Sequence, residues 1–363
     1  PDPEPQEWHP GPSGNVLHGL IPRPATFAGI KRWQIETKLP RGVIRSAAFS
    51  PDGLMLACGT DCGHVRIYDA ETLELVDLVI GHTEIVRSVA WSPDGNWLAS
   101  CGDDQAVRLW HAIEKRTAIV AIDSQGLSVS WAPDSNRFAI ATGLDVEVWT
   151  VEGLQTKKLP FHTSNAVAWS PDGQTIICGG HGQIRLWKAE NGDVGLTIDT
   201  WASRAVTWSP DSLRFATAGS SDDIQIWKKD GTLDTVIKTP VPVIRALAWS
   251  PNGSQLVASG TALAVHSLED DSDFLVIPYS TGGGIRSVCW HPRIQCFLTV
   301  DDARSMRRWR PDGTLLTVST GHLTSIGFRV DWSHDSQLLA ISDSPPNDAI
   351  RVYSRSGVID NTF

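Results

Sequence analysis

Apolar and polar positions alternate along this chain in short runs, broken at regular intervals by turn residues. The pattern is plainest between residues 85 and 122. Val86 and the run Ser88-Val89-Ala90-Trp91 alternate as a strand does when one of its faces is buried. Ser92-Pro93-Asp94-Gly95 then signals a turn, in which proline presets one backbone dihedral and glycine relieves another. Trp97-Leu98-Ala99-Ser100-Cys101 predicts a second strand and Gly102-Asp103-Asp104-Gln105 a second turn. Val107-Arg108-Leu109-Trp110 and Ala118-Ile119-Val120-Ala121-Ile122 predict the third and fourth strands. Four strands joined by tight turns form a meander, and one meander cannot bury both of its faces alone.

The same pattern recurs. Its most visible element reads Phe49-Ser50-Pro51-Asp52-Gly53, Trp91-Ser92-Pro93-Asp94-Gly95, Trp131-Ala132-Pro133-Asp134-Ser135, Trp169-Ser170-Pro171-Asp172-Gly173, Trp208-Ser209-Pro210-Asp211-Ser212 and Trp249-Ser250-Pro251-Asn252-Gly253. Two worn copies follow, Trp290-His291-Pro292-Arg293 and Trp332-Ser333-His334-Asp335-Ser336. Successive aromatics lie 42, 40, 38, 39, 41, 41 and 42 residues apart. A period near 40 marks a repeat architecture, and stacking such meanders radially about an axis buries both faces of each. Eight first strands predict eight blades.

These turns, with Trp110, Trp149, Trp187, Trp227 and Trp309 ending third strands, resemble WD40 repeats over about residues 31–355. The match departs from the family in places. The namesake Trp-Asp pair is missing, since His111, Thr150, Lys188, Lys228 or Arg310 follows the tryptophan, and only Tyr68-Asp69 keeps the aspartate. His266 replaces the aromatic in the sixth repeat. The Gly-His pair that precedes a first strand survives as Gly81-His82 and Gly321-His322. The resemblance implies an all-β fold, a closed eight-bladed β-propeller of four-stranded antiparallel blades. Ile30-Lys31-Arg32-Trp33-Gln34-Ile35-Glu36 reads as a lone strand, expected to close the ring as the outer strand of the eighth blade; the alternative is that residues 356–362 supply that strand. The expected organisation is a Pro-rich linker or strap over 1–26, with seven prolines, one propeller over 27–355 and a C-terminal tail over 356–363. The near-identical repeats are also similar to bacterial WD40 proteins, in which the propeller is often tethered to a kinase, protease or NTPase. On that resemblance, the Pro-rich start is read as a linker from an effector domain preceding Pro1.

Composition narrows the picture. Hydrophobic residues make up 41% and charged residues 20%, and no apolar run approaches the roughly 18 residues of a membrane helix. A formal charge of −10 argues against non-specific nucleic-acid binding, which needs a basic surface. Neither a membrane nor a nucleic acid is therefore expected as partner. Cys58, Cys101 and Cys178 fall at or next to one repeat position that Thr217 and Ala258 fill elsewhere, as small buried hydrophobes do. Cys289 and Cys296 could meet across a hairpin, but no bridge is expected. This usage favours a reducing, cytoplasmic compartment.

Enzyme signatures are missing: no phosphate-binding glycine loop, no Gly-x-Ser-x-Gly elbow and no His-Glu-x-x-His helix. His82, Ser100 and Asp104 suggest a hydrolase set, but with Trp110 they resemble the buried network that braces a WD40 blade. Glu269-Asp270-Asp271-Ser272-Asp273 is read as a solvated loop rather than a calcium site. His162, Cys178 and His181 make a thin case for zinc. No catalytic residue, cofactor or metal is expected.

Aligning first strands on their aromatic exposes a different set. Four residues earlier stand Arg45, Arg87, Leu127, Asn165, Arg204, Arg245, Arg286 and Phe328. In WD40 domains this place resembles the one lining the mouth of the central channel. Five guanidiniums there would focus positive potential within an acidic molecule and offer forked donors to carboxylate or phosphate. The competing reading pairs them internally with carboxylates. A second series, Arg66, Arg108, Arg185 and Arg351, two residues before the third-strand aromatic, is read as a solvated face. The expected function is a non-catalytic protein–protein interaction scaffold. It would bind an acidic or phosphorylated partner segment through Arg45, Arg87, Arg204, Arg245 and Arg286. The alternatives are a propeller enzyme, or a propeller binding sugars or small anions at the channel mouth.

Overall fold

The computed structural model describes residues 42–320 except 74, 162–163, 201–202, 222, 242, 270–273, 280–283 and 304. Of the remainder it describes 330–332, 338–342, 350–354 and 359–362. The chain divides into two compact units, one of Arg41–Leu323 and one of Pro1–Pro40 with Thr324–Phe363.

The larger unit holds seven sheets, each an antiparallel meander of four consecutive strands. Blades 1 to 7 span residues 44–80, 86–121, 128–160, 166–199, 203–238, 246–277 and 285–320. Buried apolar clusters lie between neighbouring blades rather than within one. Val65, Ile67 and Val79 of blade 1 pack on Trp91, Leu98 and Trp110 of blade 2, and Ile177, Ile184 and Leu186 of blade 4 pack on Trp208, Phe215 and Trp227 of blade 5. Each such aliphatic side chain withdrawn from water contributes about 1.5–3 kcal/mol, so the radial stack supplies what a single meander lacks.

The repeated phrase builds the turn between first and second strands. Ser92 Oγ donates to Asp94 Oδ1 and accepts from Trp97 N at 2.9 Å, while Asn96 N donates to Asp94 Oδ1 at 3.0 Å. Gly95 closes the turn at φ +75°, where a side chain is costly. In blades 3 and 5 serine takes this left-handed place, Ser135 at φ 59° and Ser212 at φ 61°. Each hydroxyl accepts from the preceding blade's turn, from Asp94 N and Asp172 N, both at 3.0 Å. These copies are altered to bond across blades, which offsets the strain.

The ring has seven blades, not the eight expected, and it closes between blades 7 and 1. The first strand of blade 1, Ile44–Phe49, packs directly against the first strand of blade 7, Ile285–Trp290. One bond recurs between neighbours: a first-strand N–H donates to a serine hydroxyl of the preceding blade, as in Val89 N to Ser46 Oγ, Val129 N to Ser88 Oγ and Val167 N to Ser128 Oγ, each 3.2 Å. At the closing interface Ala47 N donates to Ser287 Oγ at 3.4 Å, so blade 7 stands to blade 1 as any blade to the next. His291, where the phrase looks worn, is the closing contact. Its Nε2 donates to Gly53 O at 2.9 Å, and its Nδ1 accepts from Arg293 N and Ile294 N. A Cβ on Gly53 would stand 2.3 Å from that ring. Arg308 Nη1 donates to Ala70 O at 3.0 Å across the same seam.

The eighth repeat forms a separate four-stranded antiparallel sheet in the smaller unit. Its outer strand is Ile359–Thr362, paired with Ile350–Ser354. The place assigned to Ile30–Glu36 is thus taken by the C-terminal segment; residues 30–36 themselves lie outside the described residues, as does the linker over 1–26. Among the described residues no helix is long and apolar enough to cross a membrane.

Candidate functional site

Four of the five arginines share a backbone device that their spacing does not reveal. In blades 1, 2, 5 and 7 strand pairing skips one residue, between Ile44 and Ser46, Val86 and Ser88, Ser203 and Ala205, and Ile285 and Ser287. The skipped residue is Arg45, Arg87, Arg204 or Arg286. A bulge leaves its extra residue unpaired and re-aims the side chain. Blades 3, 4 and 6 have shorter first strands that begin after Leu127, Asn165 and Arg245.

Their surroundings differ. Arg87 makes a forked pair with Asp103, Nε to Oδ1 at 2.8 Å and Nη2 to Oδ2 at 2.7 Å, with the arginine 39% exposed. Arg45 lies 3.7 Å from Asp61. Arg245 and Arg286 converge on Asp302, Arg245 at 3.5 Å and Arg286 through its Nε. Burial alone would raise the Asp302 pKa. The hydrogen bond from Arg286 and the charges of Arg286, Arg245 and Arg45 outweigh it and hold the carboxyl below its usual range. Arginines from blades 6, 7 and 1 therefore gather at one carboxylate. Gly284 makes room for this, because a Cβ there would meet Arg245 Nη1 at 2.5 Å. Arg204 is exposed and makes no ion pair among the described residues. Phe328 of the eighth repeat lies outside the described residues.

The partners were readable at a fixed offset. Asp61, Asp103 and Asp302 each follow their arginine by sixteen residues, whereas Ser220 stands sixteen after Arg204 and Thr261 sixteen after Arg245. Four arginines therefore have a carboxylate partner and one does not.

His82, Ser100 and Asp104 do come together, inside blade 2 and out of solvent. Asp104 Oδ1 lies 2.8 Å from His82 Nδ1, which places the ring proton there, and Nε2 accepts from Ser100 Oγ at 2.8 Å. Asp104 Oδ2 accepts from Arg108 Nη1 at 2.7 Å and from Thr83 N at 3.2 Å. Burial, with Arg108's charge, holds His82 below its ordinary pKa against the opposing pull of Asp104. Burial would raise Asp104, but its bonds with His82 and Thr83 and the charge of Arg108 bring it down. Gly81 is part of the network, since a Cβ there would stand 2.7 Å from Arg108 Nε. With His82, Ser100 and Asp104 all buried, the set braces the blade. Blade 7 uses a variant: Trp309 Nε1 donates to Thr299 Oγ1 at 3.0 Å, and Tyr279 OH donates to buried Asp301 at 2.9 Å.

The second arginine series is not the solvated face expected of it. Arg66 is 1% exposed and Arg108 is also buried. Arg185 is half-buried, donating to Pro160 O at 2.9 Å and lying over Phe161. The third strand lies inside its blade and the blade's faces are covered by neighbouring blades, so its polar side chains are enclosed as well. The side chain of Arg351 lies outside the described residues, as do His162 and residues 270–273 of the acidic run. Cys178 is buried while His181 is exposed, so these two face different environments. All six cysteines are free thiols.

Three family models match parts of the chain. Residues 73–111 match the WD domain, G-beta repeat; residues 27–85 match the anaphase-promoting complex subunit 4 WD40 domain; residues 99–238 match eukaryotic translation initiation factor eIF2A. No curated protein matches the chain. WD40 propellers are commonly protein-interaction scaffolds and are usually non-catalytic. The repeated turn, the four-stranded blades and these matches together place the chain in the WD40-repeat β-propeller family.

Proposed function

We propose that the ring is a non-catalytic scaffold that binds an acidic or phosphorylated segment of a partner protein at the mouth bearing Arg45, Arg87, Arg204, Arg245 and Arg286. The observation that carries this reading is the imbalance of charge. Five guanidiniums face three aspartates, and Arg204 has no ion pair among the described residues. Arg45 and Arg245 sit at 3.7 and 3.5 Å from their carboxylates, long for charge-assisted hydrogen bonds, so both retain donors for a ligand. Arg87 is held in a fork and serves more to shape the rim than to capture an anion.

The test is titration calorimetry of the full chain with acidic peptides, phosphopeptides and inorganic phosphate at two ionic strengths. A phosphopeptide should bind more weakly as salt rises. Replacing Arg204 and Arg245 together by alanine should weaken it at least about tenfold, some 1.4 kcal/mol. Unchanged affinity in the double variant would sink the arginine mouth. Binding of inorganic phosphate with no gain from a peptide would favour a small-anion site instead.

A further inference from the structure

Five of the seven blade interfaces are filled by a tryptophan at the end of a third strand: Trp110, Trp149, Trp187, Trp227 and Trp309. Trp110 packs against blade 1, Trp149 against blade 2, Trp187 against blade 3, Trp227 against blade 4 and Trp309 against blade 6. Between blades 5 and 6 that place belongs to His266, and the apolar cluster there holds no third-strand aromatic. A cavity of about 450 Å³ opens at this interface, within the size range of ligand sites. Its apolar wall is Ile226, Val236, Ile237, Leu268 and Phe274, with the Phe274 ring 4.8 Å from His266. Blade 6 is also cut short here. Its outer strand is only Leu275–Ile277, and its pairing ends at Val265, one residue before His266. In blade 5 the corresponding pairing reaches the tryptophan, Trp227 opposite Leu233.

The charge at the cavity's edge is equally specific. Arg214 lies with its guanidinium 5.4 Å from the centre of the Trp249 ring. Arg137 lies likewise over Trp169, at 5.3 Å, but also bonds to Asp134 at 2.8 Å. The matching carboxylate of blade 5, Asp211, takes its hydrogen bonds from Ser209 Oγ and Leu213 N and feels Arg214 only through its charge. Arg214 is left with no hydrogen bond or ion pair from its side chain among the described residues. The cavity also runs along Asp234–Lys238 of the outermost strand of blade 5, an edge that an extended chain can lie against.

We propose that this slot binds an aromatic side chain flanked by a carboxylate in an extended segment of a partner protein. The ring takes the space that an indole fills in other interfaces, and the carboxylate meets Arg214. The slot lies between outer strands and uses none of the five mouth arginines, so it stands independently of the function proposed above.

The probe is a fluorescein-labelled, blocked Asp-Trp-Asp tripeptide, titrated into the full chain by fluorescence anisotropy. Labelled Asp-Ala-Asp and Ala-Trp-Ala serve as controls, and free indole-3-acetate as competitor. Asp-Trp-Asp should bind best. H266W should weaken it about tenfold or more by filling the slot, without lowering the thermal midpoint. R214Q should bring Asp-Trp-Asp down to the level of Ala-Trp-Ala. Equal binding of Asp-Ala-Asp, or indifference to both variants, overturns the proposal, as does binding of indole-3-acetate without any peptide. If H266W fails to fold, R214Q decides alone, because the Arg214 side chain makes no hydrogen bond or ion pair among the described residues and the glutamine keeps part of its packing on Trp249.

Discussion

Blades 2 and 6 start from one template and spend it differently. In blade 2 Trp110 packs between blades, His82, Asp104, Ser100 and Arg108 form one polar network, and Arg87 is forked to Asp103. Blade 6 replaces the tryptophan by His266, shortens its outer strand to three residues, and sets Thr261 where blade 2 has Asp103. Its entry loop also carries Val243 at φ 55° and 38% exposed, a conformation costly for a β-branched residue. A repeat can be tied together where its polar side chains bond to one another and still offer space where one large side chain is withheld.

The largest test removes the centre of the blade 2 network. Asp104→Ala strands Arg108 and the His82 proton in the interior, and should cost about 3–5 kcal/mol in urea unfolding. Next, Trp110→His copies blade 6 into blade 2. It should cost about 2–3 kcal/mol, below the usual range for Trp→Ala because the imidazole fills part of the space. If it costs nothing, the aromatic is not what tightens these interfaces.

The comparison extends to pH. His82 and Asp104 both have lowered folded-state pKa values, so the unfolded chain binds more protons and stability falls as pH falls. For His82 the contribution is complete above the ordinary value of 6.5 and is lost as pH drops through the depressed folded value. For Asp104 it is complete above 3.8 and is lost below that. His64 and His291 are lowered too, chiefly by burial, so the blade 2 share is the difference in slope between the parent and His82→Gln below 6.5. Equal slopes would mean that His82 already titrates normally. The smallest effect belongs to blade 6: Val243→Gly should stabilise by about 0.5–1 kcal/mol, relief of the left-handed strain exceeding the entropy glycine adds to the unfolded chain.

The period gave strand order, turn chemistry and the position of the arginines, because each is set within one repeat. What the repeat could not reveal depends on neighbours. The number of blades was misjudged because repeats count meanders, while closure depends on His291 reaching Gly53 from 238 residues away. Ser135 and Ser212 stand where other copies have glycine, and only the structure shows their hydroxyls accepting from the preceding blade's turn. Arg66 and Arg108 read as surface because strand alternation cannot tell an open face from one covered by another blade. The Asp partners were visible at a sixteen-residue offset that only the bulge geometry makes meaningful.

The seam between blades 7 and 1 has a consequence for how the ring forms. Each blade is one continuous stretch of chain, so its contacts are short-range and can assemble locally. The contacts that join the ends, His291 to Gly53, Arg308 to Ala70 and Cys58 to Met306, span 238 to 248 residues and involve side chains without a strand ladder. Contacts of such separation form late. Weakening them should therefore hasten unfolding far more than it slows folding, and the lifetime of the folded ring is set at its join rather than in its blades.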